Sequence, residues 1–338
     1  MIEKAMIMAA GVGSRLEPMS SIVPKPLVPL ANIPAMDILV GHLLSFNIKN
    51  IIANTYYRAE DIQNHYKNSN FDVNMQFIKE KELSGTAGGL RKCRFFFDED
   101  KDFIVMSGDG LTDLNIEEAY LSHIRSKAIA TIVMKEVEHQ EVSKYGIIVP
   151  DDKGFVHSFQ EKPSIEEAKS NLANTGIYIF NYKIFDFIPE NTFYDFAKNV
   201  FPSVLKSGLK INTFKMNGYW SDIGSLSQYK RSNMDLIQNK IKTFAPEVIK
   251  TIDAEYIEGS NFTKNIASRI SGRCIIGNNC SVGRNSLIKN SILWDNVKVG
   301  DDVKIENSII LSDIIIEKSV YNEVVFKTQV EEKNKVFL

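Results

Sequence analysis

Ala5-Met6-Ile7-Met8-Ala9-Ala10-Gly11-Val12-Gly13-Ser14-Arg15 is an apolar run that ends in a glycine turn followed by a cation. Residues 5–9 read as a strand, and the two glycines permit a tight turn directly after it. Working outward, short apolar runs at 50–54, 73–78, 103–107 and 130–134 read as further strands. Helical patterns fall between them at 35–46, 59–67, 87–97 and 116–126. Strand-helix alternation with right-handed crossovers implies an α/β domain with a Rossmann-like, mostly parallel sheet covered on both faces. Ligands of such sheets bind at the carboxyl ends of the strands.

Beyond residue 150 the pattern loosens, with strands expected at 154–160 and 175–180 and helices near 193–206 and 225–239. A different regularity then begins. The 17 residues from Val282 to Lys298 are followed at once by a second copy of the pattern from Val299 to Ile315, and Ile316-Glu317-Lys318-Ser319-Val320 starts a third. Aliphatic residues recur six positions apart at Ile276, Val282 and Ile288, and again at Val299 and Ile305. A period of this kind means stacked coils, and the hexapeptide spacing resembles a left-handed parallel β-helix. The expected organisation is an α/β domain over 1–240, a linker over 241–262 and a small C-terminal β-helix over 263–338. So short a stack exposes its ends and edges, so it is expected to dock on the first domain or to make a homo-oligomer.

The chain has 338 residues, more than one hydrophobic core normally organises. Its formal net charge of -2 offers no basic surplus for a polyanion, so nucleic acid is not an expected partner. No segment reads as a targeting signal or a membrane span. Cys93, Cys274 and Cys280 have neither disulfide nor zinc-site spacing, which points to reduced, packed thiols and a cytoplasmic setting.

The glycine turn also carries chemistry. Without side chains at Gly11 and Gly13, backbone N–H groups can approach phosphate oxygens, while Arg15 offers a bidentate fork and Lys25 a compact charge. The third glycine of a dinucleotide fingerprint and the Gly-Lys-Ser/Thr of a P-loop are both missing. Taken together, Gly11-x-Gly13-x-Arg15-Leu16-x-Pro18 and Pro24-Lys25-Pro26-Leu27-Val28-Pro29 resemble the signature of the sugar-1-phosphate nucleotidyltransferases. Four more segments resemble that family in the right order: Ser84-Gly85-Thr86-Ala87-Gly88-Gly89, Ser107-Gly108-Asp109, the set Tyr145-Gly146, Gln160-Glu161-Lys162-Pro163 and Ala173-Asn174-Thr175-Gly176, and Gly218-Tyr219-Trp220-Ser221-Asp222-Ile223-Gly224.

The resemblance implies a Mg²⁺-dependent reaction of a nucleoside triphosphate with a hexose 1-phosphate. It assigns Ala10, Gly11, Gly13, Arg15, Lys25, Gly85, Thr86 and Gly108 to the nucleotide. Gly146, Glu161, Lys162 and Asn174 would form the sugar-phosphate wall, and Asp109 and Asp222 would hold the metal. Arg15, Lys25, Asp109, Lys162 and Asp222 are the residues expected to carry catalysis. Asp113 is a weaker metal candidate, since Asp before a helix is more often a cap. The resemblance is greatest to mannose-1-phosphate guanylyltransferases, with glucose-1-phosphate enzymes using UTP, dTTP, CTP or ATP, or a silent regulatory paralogue, as alternatives. An acyltransferase reading of the repeat lacks a histidine anywhere in residues 276–321.

Overall fold

The computed structural model describes residues 1–99, 101–242, 246–327 and 333–337. The chain divides into two compact units. The first comprises residues 1–12, 24–26 and 39–222, and the second residues 13–23, 27–38 and 223–338.

In chain order the main elements before the repeats begin with β1 (Lys4–Ala9), α1 (Ala35–Ser45), β2 (Asn50–Thr55), α2 (Ala59–Lys67), β3 (Asn74–Lys79), α3 (Gly85–Lys92) and β4 (Asp102–Ser107). They continue with β5 (Gly110–Thr112), α4 (Ile116–Ser126), β6 (Ala130–Glu136), β7 (Gly146–Pro150), β8 (Val156–Glu161) and β9 (Leu172–Asn181). Last come α5 (Phe201–Lys206), β10 (Ile211–Lys215), β11 (Trp220–Asp222) and α6 (Leu226–Ile237).

The first unit is built on a nine-stranded sheet whose main path runs β8-β7-β9-β4-β1-β2-β3. The strands β4, β1, β2 and β3 are parallel, and β9 joins antiparallel to β4 on one edge and to β6 on the other. β1, β2 and β4 carry the buried apolar runs of strands covered on both faces, whereas the edge strand β3 is partly exposed. Met6, Ile7, Ile51, Ile52, Ile104 and Val105 have no exposed surface. An aromatic cluster fills one side: Phe97 stacks on Phe103 at 4.0 Å, and Phe180, Phe185, Phe196 and Phe201 are at most 1% exposed.

Two expected helices are shorter than their patterns. The segment 87–97 is helical only to Lys92 and turns through a 3-10 turn at Arg94–Phe96, which directs Phe96 and Phe97 into the core. The segment 193–206 starts at Phe196, because the Asp195 carboxylate accepts from the Ala197 and Lys198 amides and so caps the first turn, a π-helical one.

His42, in α1, is 2% exposed, and burial drives its pKa down from 6.5 to about 4, with the Leu114 backbone and the Asp113 carboxylate opposing only part of the shift. The imidazole is neutral in the fold, whereas in the unfolded chain it protonates below 6.5. Stability is therefore lost as pH falls from about 6.5 towards 4, by about 3 kcal/mol from this residue.

The second unit holds the repeats. Three parallel ladders stack coil on coil: Val282 pairs with Val299 and Val299 with Ile316, Ile288 with Ile305, and Leu293 with Ile310. These aliphatics are at most 4% exposed and form the interior of the left-handed β-helix. Ala254–Glu258 adds a parallel strand to Arg269–Ile276, and at the far end Glu323–Lys327 pairs antiparallel with Lys333–Phe337. Helix α6 belongs to this unit, where the Trp294 indole donates to the Tyr229 hydroxyl at 2.9 Å and Lys230 donates to the Asn307 carbonyl at 2.9 Å. The three cysteines are buried and free, and burial pushes the thiol pKa up to about 12 for Cys93 and about 11 for Cys274 and Cys280. No helix among the described residues is long and apolar enough to cross a membrane.

The corners of the coils turn on residues that the aliphatic spacing does not reveal. Asn261, Asn279, Asn296 and Asp313 all lie in the left-handed region, at φ 58, 55, 61 and 63. Their side chains form a ladder in which Asn261, Asn279 and Asn296 each donate to the next residue up, at 2.9, 3.1 and 2.8 Å. Asn and Asp tolerate this backbone because their short polar side chains bond locally.

Two measurements test these assignments. Replacing Asn296→Ala places a β-carbon on a left-handed backbone and removes two ladder bonds, so urea titration should find about 2 kcal/mol less stability. Replacing His42→Leu should flatten the decline in unfolding free energy between pH 6.5 and 4 relative to the unaltered chain; an equal decline in both would contradict a buried neutral imidazole.

Candidate active site

The site is built where β1 and β4 end side by side. Met8 pairs with Ser107, and the Gly108 amide donates to the Met8 carbonyl at 2.9 Å. A β-carbon on Gly108 would stand 2.9 Å from that carbonyl oxygen, so only glycine lets the two chains leave the sheet this close. Ala9-Ala10-Gly11 and Gly108-Asp109 therefore emerge together at the carboxyl edge, the place where open α/β sheets bind ligands. Gly11 is exposed, and a β-carbon there would meet nothing within 4 Å.

The Asp109 carboxylate is paired with the Lys25 ammonium, and the Ser107 hydroxyl donates to its other oxygen. The two side chains retain 22% and 12% of their exposure. Burial opposes ionisation of Asp109, but the Lys25 charge and its hydrogen bond, with help from Ser107, outweigh it and hold the carboxyl below its usual range.

Asp222 arrives from far along the chain. The strand β11 pairs antiparallel with β5 so that Asp222 lies opposite Gly110, the residue after Asp109. The neighbouring residues explain how the segment is held. The Asp113 carboxylate accepts from the Tyr219 amide at 2.5 Å, and the Asp113 amide donates to the Tyr219 carbonyl at 3.2 Å. A β-carbon on Gly218 would come within 1.9 Å of the same carboxylate, which requires glycine there. Asp113 thus ties two segments together, and the cap of α4 is Asn115, whose side chain accepts from Glu118. The Trp220 indole donates to the Thr175 carbonyl at 3.1 Å, fastening β11 to β9.

Among the described residues no group of three or more His, Cys, Asp and Glu side chains is arranged to hold a metal. A divalent cation bound by Asp109 and Asp222 would complete its shell with phosphate and water oxygens, as Mg²⁺ at phosphoryl sites does. The donor set fits, since one of the two carboxylates already carries a cation in Lys25 and cross-strand pairing brings the other to the adjoining position.

Three of the four expected sugar-phosphate residues line one cleft of about 380 Å³, and Lys162 is not among its lining residues. Gly146, Glu161 and Asn174 share it with Gln160, Lys198 and Pro202, among others. Asn174 sits where β9 breaks register against β6, a bulge completed by Gly176 at φ 73, and such bulges re-aim side chains. Its amide donates to the Tyr178 hydroxyl at 3.0 Å and its oxygen accepts from Gly176 at 3.1 Å. A β-carbon on Gly146 would approach Glu161 Oε2 to 3.3 Å. Lys162 is exposed just past β8 at φ 45, a left-handed backbone held by its amide, which donates to the Tyr145 carbonyl at 3.1 Å. Lys198 was given no sugar-phosphate role from sequence, although its segment Asp195-Phe196-Ala197-Lys198 is among those that resemble the mannose-1-phosphate guanylyltransferases.

The second glycine loop is held from outside. Gly85 is at φ 77, and a β-carbon there would be 2.4 Å from the Tyr194 carbonyl oxygen. That carbonyl accepts from the Ala87 and Gly88 amides, so the start of α3 is satisfied by backbone rather than by Ser84 or Thr86. Thr86 donates instead to Asp195 at 2.9 Å and accepts from the Phe196 amide at 3.0 Å.

Gly13 and Arg15 belong to the second unit. Gly13, at φ 76, leads into the short 3-10 turn Ser14–Leu16, on which Arg15 is exposed. Glu17, beside this loop, is likewise exposed.

Residues 4–239 match the family model described as nucleotidyl transferase. The chain is 37% identical over 252 residues to a UTP–glucose-1-phosphate uridylyltransferase of Synechocystis, across 71% of this chain and 64% of that protein. It thus spans slightly less than two thirds of that relative's length. It is 29% identical over 276 residues to a mannose-1-phosphate guanyltransferase of Gibberella zeae, across 80% of this chain and 74% of the relative. Among solved structures it resembles HddC from Yersinia pseudotuberculosis, also solved in complex with GMP-PN, with a TM-score of 0.60 and 26% identity over 69% of this chain and 99% of that one. The chain belongs to the nucleotidyl transferase family.

Proposed function

We infer that the chain joins a nucleoside triphosphate to a sugar 1-phosphate, releasing pyrophosphate and leaving a nucleotide sugar. The observation that carries this reading is the cross-strand pairing that sets Asp222 opposite Gly110, beside the Lys25–Asp109 ion pair at the carboxyl edge of the sheet. Family membership and the names of the uridylyl-, adenylyl- and guanyltransferase relatives support the same chemistry.

An oxygen of the sugar 1-phosphate attacks the α-phosphorus in line, and the bond to the β-phosphate oxygen breaks as the new P–O bond forms. Pyrophosphate leaves with that electron pair. The nucleophile is already ionised at neutral pH, so no general base is required, and the protein's contribution is alignment and charge. Lys25 holds the triphosphate and the departing pyrophosphate, with the backbone at Ala10, Gly11 and Gly108 against it, and the family resemblance gives Arg15 and Gly13 the same task. Mg²⁺ bound by Asp109 and Asp222 would offset charge on the phosphate oxygens. Lys162 orients the sugar phosphate, while Glu161 and Asn174 bond sugar hydroxyls across Gly146. Gly85 and Thr86 lie against the base.

For the substrate pair we hold to GTP with mannose 1-phosphate, supported by the Gly85-Thr86-Ala87-Gly88 and Asp195-Phe196-Ala197-Lys198 segments and by the Gibberella relative. UTP with glucose 1-phosphate is the competing pair, favoured by the 37% identity to the Synechocystis protein. Pyrophosphate release in the presence of Mg²⁺ across five nucleoside triphosphates and the two sugar phosphates decides between them. Nucleotide-sugar binding without any turnover would instead indicate a silent regulatory chain.

With the active pair, Asp109→Asn and Lys25→Ala should each lower turnover by about 10²-fold or more while the melting temperature stays close to that of the unaltered chain. Near-normal rates in both would overturn the assignment. The glycines separate stability from chemistry. Gly11→Ala enters open space and should leave stability within about 0.5 kcal/mol while raising the KM for nucleotide, whereas Gly85→Ala should cost roughly 1–3 kcal/mol of stability through backbone strain.

A further inference from the structure

One buried carboxylate lies outside the roles assigned above. Glu80, just past β3, is 4% exposed, and each of its oxygens is engaged. Oε1 accepts from Asn54 Nδ2 at 2.6 Å, and Oε2 accepts from the Ser84 amide at 3.1 Å, from the Ser84 hydroxyl and from Lys92 Nζ at 2.8 Å. Asn54, itself 4% exposed, accepts through Oδ1 from the Ala9 amide at 3.2 Å. A chain of hydrogen bonds therefore runs from Ala9, which opens the first glycine loop, through Asn54 and Glu80 to Ser84, which opens the second.

The direction of this chain is dictated at both ends. The Ala9 amide can only donate, so Asn54 must turn its oxygen to it and present its nitrogen, a donor, to residue 80. At the other end the Ser84 amide and the Lys92 ammonium also donate. Residue 80 must accept on both sides, which a carboxylate does and a carboxamide cannot. The helix α3 is shaped to this chain: a β-carbon on Gly89 would lie 2.5 Å from Asn54 Nδ2 and 3.2 Å from Glu80 Oε1. Burial opposes ionisation of Glu80, and the bonds from Lys92, Ser84 and Asn54 more than compensate, so the carboxyl stays below its usual range.

We propose that Glu80 is a positioning residue that locks the two glycine loops in register, so that nucleotide affinity depends on the unbroken donor-acceptor order Ala9–Asn54–Glu80–Ser84. It touches no substrate and acts through both loops. The proposal rests on the reading that these loops bind the nucleotide.

The test exchanges the two chemistries along the chain. Glu80→Gln turns a second donor against either Asn54 or Ser84, and Asn54→Asp sets two carboxylates face to face. In the double variant the new carboxylate at position 54 accepts from the Ala9 amide and from the new amide at position 80, whose oxygen then accepts from Ser84 and Lys92. Each single change should raise the KM for nucleotide by about 10-fold or more and leave the KM for sugar 1-phosphate within about 2-fold, and the double variant should return within about 3-fold of the parent. Amide hydrogen exchange at Ala9 and Ser84 should accelerate in each single variant and recover in the double. Ser84→Ala, which removes one donor and leaves the carboxylate three others, is the milder companion, expected to raise the KM for nucleotide a few-fold in a folded protein. Single variants with parental KM and exchange, a double variant no better than the worse single, or equal loss of affinity for both substrates would each overturn the proposal. Should the unaltered chain turn over no pair, the nucleotidyl-transfer reading fails, and the exchange measurements alone still decide whether Glu80 couples the loops.

Discussion

The parallel pairing of β1 with β4, closed by the Gly108 amide on the Met8 carbonyl, is the constraint on which the site depends. Parallel neighbours end at the same edge, so the glycine loop after one strand and the acidic turn after the other are delivered together. Glycine at 108 is what permits that spacing, because any β-carbon would press on the Met8 carbonyl. Once the two segments leave side by side, Lys25 can bridge to Asp109, and β5 follows immediately to receive β11.

Around that edge, short-range devices secure one segment against another. Asp113 clasps Tyr219 through two bonds, Trp220 reaches back to the Thr175 carbonyl, and the Tyr194 carbonyl collects the free amides at the start of α3. In two of these a glycine stands where a side chain would collide: Gly218 against Asp113 and Gly85 against Tyr194. Gly218 and Gly85 thus answer to packing. Gly11 differs, since a side chain there would meet only open space.

The β-helix solves a different problem. Its interior repeats because the coils must bury the same aliphatic positions, and its corners repeat because each turn needs a left-handed residue with a side chain that can bond the next coil. The aliphatic period was legible from Val282, Val299 and Ile316 alone. The asparagine ladder was equally present in the sequence, but asparagine is common in loops, and only the stacked corners single out Asn261, Asn279, Asn296 and Asp313 as one column.

The sequence by itself determined the strand and helix order, the stacked repeat and the glycine-rich and acidic motif segments, because periodicity and turn chemistry are local properties. The edges of 59–67 and 116–126 could be read to the residue, whereas 87–97 and 193–206 were shortened by core aromatics and by the Asp195 cap. Tertiary structure alone decided which distant residues meet: Asp222 opposite Gly110, Asp113 on Tyr219, and Glu80 between Ala9 and Ser84 by way of Asn54. Those meetings depend on strand order and register, which bring together groups up to about a hundred residues apart and leave no periodic trace along the chain.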